Sequence, residues 1–115
     1  MNASGNLFEG FEAKAAEERF DTLLSRPGLR IERIVSTGQA GVDGVWYDQP
    51  QVEWVVLLSG SALLRFEDEA EPRVLRPGDW IAIAPRRRHR VEATDARAPS
   101  VWLAVHVGDE LHLQT

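Results

Sequence analysis

Apolar and polar residues alternate along most of this chain, in short runs that are separated by turn residues. Alternation with a period of two, in runs rich in valine, isoleucine, leucine and tryptophan, is typical of strands that bury one face. The runs lie at residues 29–35, 45–47, 53–59, 62–66, 73–75, 80–84, 90–94 and 101–107. Short strands at nearly regular spacing predict an all-β sandwich or barrel.

The segment before the first of these runs follows a different pattern. Ala13, Ala16 and Phe20, with two leucines after them, recur at helical spacing, and an Arg-Pro-Gly sequence follows. Proline and glycine in this position are typical of the end of a helix. We therefore expect a short N-terminal α-helix over residues 13–25, packed on the outside of the barrel.

The length of 115 residues indicates a single domain, which we divide into an arm and helix over residues 1–28 and a barrel over residues 29–115. The net charge of −5 argues against nucleic acid or an anionic membrane as a partner. The N-terminus does not read as a signal peptide, and the apolar runs are far shorter than the roughly 20 residues of a membrane helix. Together with the absence of cysteine, these features predict a cytoplasmic protein.

One residue does not fit the alternation. Glu53 is a carboxylate at the start of an otherwise strongly apolar run. A strand end can reach a wet rim, but a buried carboxylate has to be paired or ligate a metal, because leaving it bare costs several kcal/mol. His89 is a candidate partner, since it lies where the loop after the run 80–84 re-enters the sheet. A carboxylate and an imidazole suit iron, manganese, nickel or zinc, although two side chains alone make an incomplete site.

The spacing around these two residues resembles that of a small single-domain cupin, of the cupin 2 type of conserved barrel. Glu53 is followed after six residues by Gly60, and Gly78 is followed eleven residues later by His89. The sequences WVVLLSG and RPGDW are the most specific parts of the resemblance, which spans residues 29–107. The resemblance implies a cupin-type jelly-roll β-barrel, in agreement with the strand pattern.

The first cupin motif is altered in this chain, because both of its histidines are missing. One spacing places Tyr47 and Gln49 in the two histidine positions, and the other spacing places Trp46 and Asp48 there. The resemblance therefore implies a metal site in which the glutamate and histidine described above are joined by Gln49 or Asp48. An amide oxygen or a carboxylate can ligate a divalent cation, with less selectivity than imidazole.

A metal-free pocket is the alternative, because Arg86 replaces the inner glycine of the second motif. Its guanidinium could take the place of the metal and pair with Glu53. Tyr47 and His106 are further candidates for the pocket lining, His106 because alternation places it on one face with Trp102. We interpret the arginines around His89 as a solvated rim rather than as a nucleic-acid site.

These observations predict a small cupin that binds a divalent metal (Fe, Mn, Ni or Zn) in the barrel and acts on or binds a small organic molecule. If it is an enzyme, the resemblance implies a metal-dependent oxygenase or isomerase, and the reaction is not fixed by the fold. The alternative is a non-catalytic ligand-binding or structural cupin with a degenerate, metal-free site. In both cases we expect a homodimer.

Overall fold

The computed structural model describes residues 3–41 and 44–108, which form eight β-strands and, over these residues, no helix. Residues 109–115, which the domain prediction assigned to the barrel, lie outside the described part. The strands are β1 (Arg19–Arg26), β2 (Leu29–Ser36), β3 (Val52–Ser59), β4 (Ala62–Phe66), β5 (Arg73–Leu75), β6 (Trp80–Ile83), β7 (His89–Thr94) and β8 (Ser100–Val107). The described residues contain no helix that could span a membrane.

The strands form two antiparallel sheets that pack face to face. The larger sheet has the order β1-β2-β8-β3-β6, and the smaller has the order β5-β4-β7. Between them lies a core that is centred on Leu57, Phe66, Ile83 and Ala104, each of which is at most 2% exposed. The predicted all-β jelly-roll architecture is confirmed.

Register across the larger sheet determines which residues face the core. Glu53 pairs with His106, Val55 with Ala104, and Leu57 with Trp102. Because side chains at paired positions lie on the same face, these residues form rows on the inner face of the sheet. One row of that face, at the start of β3, is therefore polar within an otherwise apolar interior.

The predicted helix over residues 13–25 is wrong, because residues from Arg19 onward form β1. This strand pairs with β2 from Arg19↔Val35 to Arg26↔Leu29, with a bulge at Leu23. The Arg-Pro-Gly sequence makes a hairpin turn instead of ending a helix, with Gly28 at a φ of 75°. Pairing with the otherwise open edge of β2 outweighs the helical spacing of the apolar residues. The predicted strand at 45–47 is reduced to a single bridge at Tyr47.

The N-terminal arm is held to the outer face of the larger sheet by Arg33. This guanidinium donates to the carbonyl oxygens of Leu7 (3.2 Å) and Glu9 (2.6 Å) and to the carboxylate of Asp21 (2.6 Å). It also lies 5.3 Å from the centre of the Phe11 ring. An arginine with all these partners can be buried on an outward face, where the arm covers it.

Away from the arm and β1, the outer face is mostly apolar. On β3, β6 and β8 it carries Val52, Val56, Leu103, Val105 and a pair of indoles, Trp54 and Trp80, whose ring centres are 6.0 Å apart. Trp80 is 61% exposed. The homodimer stays a prediction, and this exposed apolar face is the surface on which we expect the two chains to meet.

A glycine at the turn between β3 and β4 allows the two sheets to join closely. Gly60 has a φ of 84°, and a Cβ at this position would lie 2.6 Å from the Ser100 Cα. The Ser100 hydroxyl also accepts from the Ser61 amide at 3.1 Å. The glycine is therefore required both by its backbone conformation and by the space available.

We expect Gly60→Ala to lower the free energy of unfolding by about 2–4 kcal/mol, because it adds a steric clash to the strain of a positive φ. Gly78→Ala is the matched control, since Gly78 also has a positive φ (95°) but has nothing within 4 Å of a Cβ. The control variant should cost about 1 kcal/mol. Urea unfolding measures both, and equal losses in the two variants would show that the clash has no effect.

Candidate functional site

A cavity of about 210 Å³ lies between the two sheets, at the polar row of the larger one. Its walls are largely apolar, with Val55, Leu64 and Ile83 among the lining residues. Its polar lining consists of Glu18, Arg30, Glu32, Tyr47, Gln49, Glu53, His89 and His106. Hydrogen-bonding side chains that converge in a concavity with apolar walls are typical of a small-molecule site.

Glu53 and His89 meet inside this cavity. Glu53 lies on β3, which is paired on both sides, and His89 is the first residue of β7, opposite Phe66. The Oε1 atom of Glu53 is 3.4 Å from the Nε2 atom of His89. The two residues are 8% and 4% exposed, so the pair lies in a low-dielectric environment.

The segment before β3 completes the surroundings of this pair. Tyr47 and His89 exchange backbone hydrogen bonds of 2.8 and 3.2 Å, and their rings are 5.9 Å apart. Two residues later, the side-chain amide of Gln49 donates from Nε2 to Oε1 of Glu53 at 2.7 Å. The backbone bridge thus places the side chains of both Tyr47 and Gln49 on the cavity wall.

The hydrogen bonds determine how His89 carries its protons. Its Nδ1 atom lies 2.8 Å from the carbonyl oxygen of Arg87, which can only accept, so Nδ1 carries a proton. Nε2 therefore faces Glu53 either as a lone pair or, in the imidazolium form, as a second N–H. Because a lone pair would repel the carboxylate, the imidazolium form is favoured when Glu53 is ionised.

The pKa values of Glu53 and His89 are shifted in opposite directions. Burial raises the pKa of Glu53, but hydrogen bonds from His89 and Gln49 and the fields of His106 and His89 outweigh it, and the net shift is downward. Burial lowers the pKa of His89, but the hydrogen bonds to Glu53 and to the Arg87 carbonyl outweigh it, and the net shift is upward. The two shifts agree with an ion pair that shares one proton.

A second carboxylate and imidazole lie on the same cavity wall. The Nε2 atom of His106 is 3.4 Å from Oε1 of Glu32. The geometry does not make a hydrogen bond, and among the described residues neither ring nitrogen of His106 has a partner. Glu32 is also 3.5 Å from the guanidinium of Arg30.

Glu18 brings a third carboxylate to the cavity, from the chain just before β1. It accepts a hydrogen bond from the Ser36 hydroxyl, which in turn accepts from the indole N–H of Trp102 at 3.1 Å. Burial raises the pKa of Glu18, and the hydrogen bond from Ser36 offsets only part of that effect.

The structure places two of the predicted site residues outside the cavity. Arg86 has a φ of 63°, its backbone N–H donates to the carbonyl of Gln49, and its side chain is 63% exposed. The guanidinium therefore points to solvent, where it lies 3.4 Å from the carboxylate of Asp48. The interpretations of Arg86 as a substitute for the metal and of Asp48 as a ligand are both corrected by this outward pairing.

The other arginines of the basic segment are paired with acidic residues. Arg87 bonds Asp68 and Glu69 at 3.0 Å each, and its guanidinium stacks 3.6 Å from the Phe66 ring. Arg88 lies 3.4 Å from Asp48 and Glu67, and Arg90 lies 2.8 Å from Glu92. The acidic hairpin between β4 and β5 thus neutralises much of this rim.

Three lining residues were not identified from the sequence. Glu18 was assigned to the predicted helix, and Arg30 and Glu32 lie on the face of β2 opposite Leu29 and Ile31. The alternation over residues 29–35 indicates that Arg30 and Glu32 share a face of the strand. Apolar residues occur on both faces, so the pattern does not indicate which face points into the barrel.

The side chains at the Glu53–His89 pair meet only part of what a divalent metal requires. In tetrahedral coordination two ligands about 2.1 Å from zinc are about 3.4 Å apart, as are Glu53 Oε1 and His89 Nε2. However, a stable site needs three or four ligands, and the third neighbour, Gln49, presents its N–H to Oε1. Among the described residues no three His, Asp, Glu or Cys side chains are grouped to hold a metal. The residues therefore fit a shared proton and do not fit a tightly held metal.

Comparison with known proteins gives one family and one close structural relative. A family model described as "Cupin domain" matches residues 35–106. A protein of Ralstonia eutropha JMP134, provisionally assigned as a mannose-6-phosphate isomerase, is 51% identical, with a TM-score of 0.91. The match covers 94% of this chain and 100% of that chain. No curated protein matches.

More distant solved structures share the fold alone. A cupin superfamily protein of Desulfitobacterium hafniense DCB-2 is 16% identical, with a TM-score of 0.71 and coverage of 86% of this chain and 84% of that one. A Klebsiella pneumoniae protein with a double-stranded β-helix domain is 14% identical, with a TM-score of 0.76 and coverage of 96% and 93%.

The shifts of the ion pair predict how pH affects the protein. The contribution of Glu53 to stability is full above its ordinary pKa of 4.5 and is lost as the pH falls through its lowered pKa. The contribution of His89 is full below its ordinary pKa of 6.5 and is lost as the pH rises through its raised pKa. The pair therefore stabilises the fold most between these two ordinary values.

We expect an NMR titration of the His89 imidazole to give a pKa above 6.5 in the unaltered protein and a lower pKa in Glu53→Gln. Glu71→Gln, at an exposed site outside the cavity, removes the same charge and should leave the His89 pKa unchanged. An equal pKa in Glu53→Gln and the unaltered protein would contradict the ion pair.

Proposed function

The chain belongs to the cupin family, and we propose that it binds a small organic carbonyl compound in the barrel cavity and moves a proton on it through Glu53 and His89. The reaction type is an isomerisation of a hydroxy-carbonyl compound. The observation that carries the proposal is the buried ion pair of these two side chains, 3.4 Å apart on the wall of a cavity. Oppositely shifted neighbours of this kind are suited to acid–base catalysis.

Each side chain has a defined role in the proposed reaction. The ionised carboxylate of Glu53 takes a proton from the carbon next to the substrate carbonyl, while the His89 imidazolium donates its Nε2 proton to the carbonyl oxygen. The product of this half is an enediol. In the second half, Glu53 returns its proton to the former carbonyl carbon, and Nε2 of His89 takes the proton of the other hydroxyl. No oxidant or reductant enters, and both groups return to their starting state.

The surroundings support these roles. The carbonyl of Arg87 fixes Nδ1 of His89, so the proton that leaves the ring is the one on Nε2, which faces the cavity. Gln49 holds Oε1 of Glu53 in place. The provisional assignment of the Ralstonia protein, 51% identical to this chain, is also to an isomerase. An oxygenase would need a metal to activate oxygen, and the donor set supports this less well.

A non-catalytic binding protein is the second candidate. The observation that favours it is that Gln49 and His89 both lie at the same carboxylate oxygen, which satisfies Glu53 without a substrate. In that case the cavity would hold a ligand but would not exchange its protons. The two candidates therefore differ in a measurable property of the bound molecule.

We expect the purified protein to catalyse exchange of the carbon-bound proton of an aldose such as D-mannose with deuterium from D2O, as followed by NMR. Glu53→Gln should lower the rate about 10²- to 10⁴-fold, because it removes the base without changing the shape of the side chain.

Glu71→Gln serves as the control and should keep the full exchange rate. Binding of the sugar without exchange in the unaltered protein would contradict the isomerase and favour the binding protein. An unchanged exchange rate in Glu53→Gln would show that another group is the base.

Measuring the metal content of the protein distinguishes an ion pair that shares a proton from a metal centre. We expect elemental analysis of the untagged, dialysed protein to give well below one divalent metal ion per chain, because only two strong ligands converge. Tyr47→His with Gln49→His supplies the two imidazoles of the first cupin motif and should raise zinc affinity about 100-fold or more. Calorimetric titration with zinc measures this change. One tightly held ion per unaltered chain, lost in His89→Ala, would overturn the metal-free mechanism.

A further inference from the structure

The charges around the cavity indicate which substrates it accepts, on the premise that the cavity is the substrate site of the proposed function. We propose that the cavity takes an uncharged or cationic compound rich in hydroxyl or amino groups and excludes phosphate esters. This ligand class differs from the phosphorylated sugar named in the provisional assignment of the Ralstonia relative.

Three carboxylates line the cavity, and they come from separate parts of the chain. Glu18 precedes β1, Glu32 lies on β2, and Glu53 lies on β3. Two cationic groups, the guanidinium of Arg30 and the imidazolium of His89, join them in the lining. The guanidinium lies 3.5 Å from Glu32 and the imidazolium lies 3.4 Å from Glu53, so each cation is already paired with a carboxylate. Neither cation is therefore free to balance a phosphate dianion, which would lie close to the three carboxylates in a weakly screened space.

The basic segment near the cavity does not supply a phosphate site either. Phosphate recognition commonly uses guanidinium, ammonium or backbone N–H groups that are free to donate. Arg86, Arg87, Arg88 and Arg90 all lie within 3.4 Å of acidic side chains. The described residues also include no helix whose N-terminus could receive an anion.

The carboxylates in the lining are hydrogen-bond acceptors, so the cavity favours a ligand that carries donors. Ionised carboxylates only accept, so each hydroxyl or ammonium group on the ligand finds an acceptor. The side chain of His106 is 7% exposed and lines the cavity, yet neither ring nitrogen has a hydrogen-bond partner among the described residues. A buried polar group without a partner is costly, and a ligand hydroxyl, which both donates and accepts, would supply the partner.

The size and walls of the cavity favour a compact ligand. Its volume of about 210 Å³ is below the roughly 300–1,000 Å³ of pockets for drug-sized molecules. Two aromatic side chains in its lining, Phe20 and Tyr47, are more than half exposed, so they lie where the cavity meets solvent. A flat apolar surface next to hydrogen-bond acceptors suits a monosaccharide or an amino sugar, whose C–H faces pack on rings.

Isothermal titration calorimetry with D-mannose, D-mannosamine and D-mannose 6-phosphate tests the proposal on the full chain. We expect D-mannosamine to bind at least as tightly as D-mannose, and the phosphate ester to bind about tenfold more weakly or not at all. Glu32→Gln should reduce this difference severalfold, because it removes one cavity charge at constant shape. Glu71→Gln removes one exposed charge and should leave the difference unchanged.

The outcomes separate this proposal from the proposed reaction. Equal or tighter binding of the phosphate ester, with deuterium exchange intact, overturns the ligand class alone. Binding in the expected order without deuterium exchange overturns the proton transfer alone and supports the ligand class. A failure of all three sugars to bind overturns both. A loss of selectivity in Glu71→Gln as large as that in Glu32→Gln would assign the effect to net charge and overturn the role of the lining.

Discussion

The burial of Glu53 is the constraint on which the arrangement of this molecule depends. β3 is hydrogen-bonded to β8 on one side and to β6 on the other, and this position leaves Glu53 only 8% exposed. Removing a carboxylate from water costs several kcal/mol unless hydrogen bonds and an opposite charge compensate. The hydrogen bonds that compensate come from outside the larger sheet, through His89 and Gln49, and His106 on β8 adds its field. The backbone bridge between Tyr47 and His89 delivers both, so the closure of the sandwich and the integrity of the site rest on one set of contacts.

The sequence predicted most of the strands and the anomalous acid for the same physical reason. Where one face of a strand is buried, side chains alternate with a period of two, and the runs at 29–35, 62–66 and 101–107 agree with strands to within one residue. Glu53 was recognisable because it interrupts an apolar run, and a charge inside a core needs a partner. The pattern therefore indicated a polar site, and the position of His89 at the start of a predicted strand made it the candidate partner, which the family spacing supported.

What the sequence could not predict depends on tertiary context. The residues of β1 have apolar spacing that fits a helix, and only the open edge of β2 makes them a strand. The outward direction of Arg86 follows from a positive φ, which a non-glycine residue rarely adopts and which no local pattern announces. Glu18 and Glu32 reach the cavity because β1 and β2, which are distant from Glu53 in the chain, join the same sheet as β3. Long-range pairing of this kind is invisible to windows of a few residues.

The loss of the first-motif histidines and the acidity of the lining have a common consequence. In a cupin that carries both histidines, a cation can balance the buried carboxylate. Here Tyr47 and Gln49 bring no strong ligand, so the balancing charge has to be a proton on His89. The carboxylates of Glu18 and Glu32 add a negative potential, which favours that imidazolium and disfavours an anion in the same space. The proposed proton transfer and the proposed selection against phosphate therefore rest on one electrostatic property of the barrel.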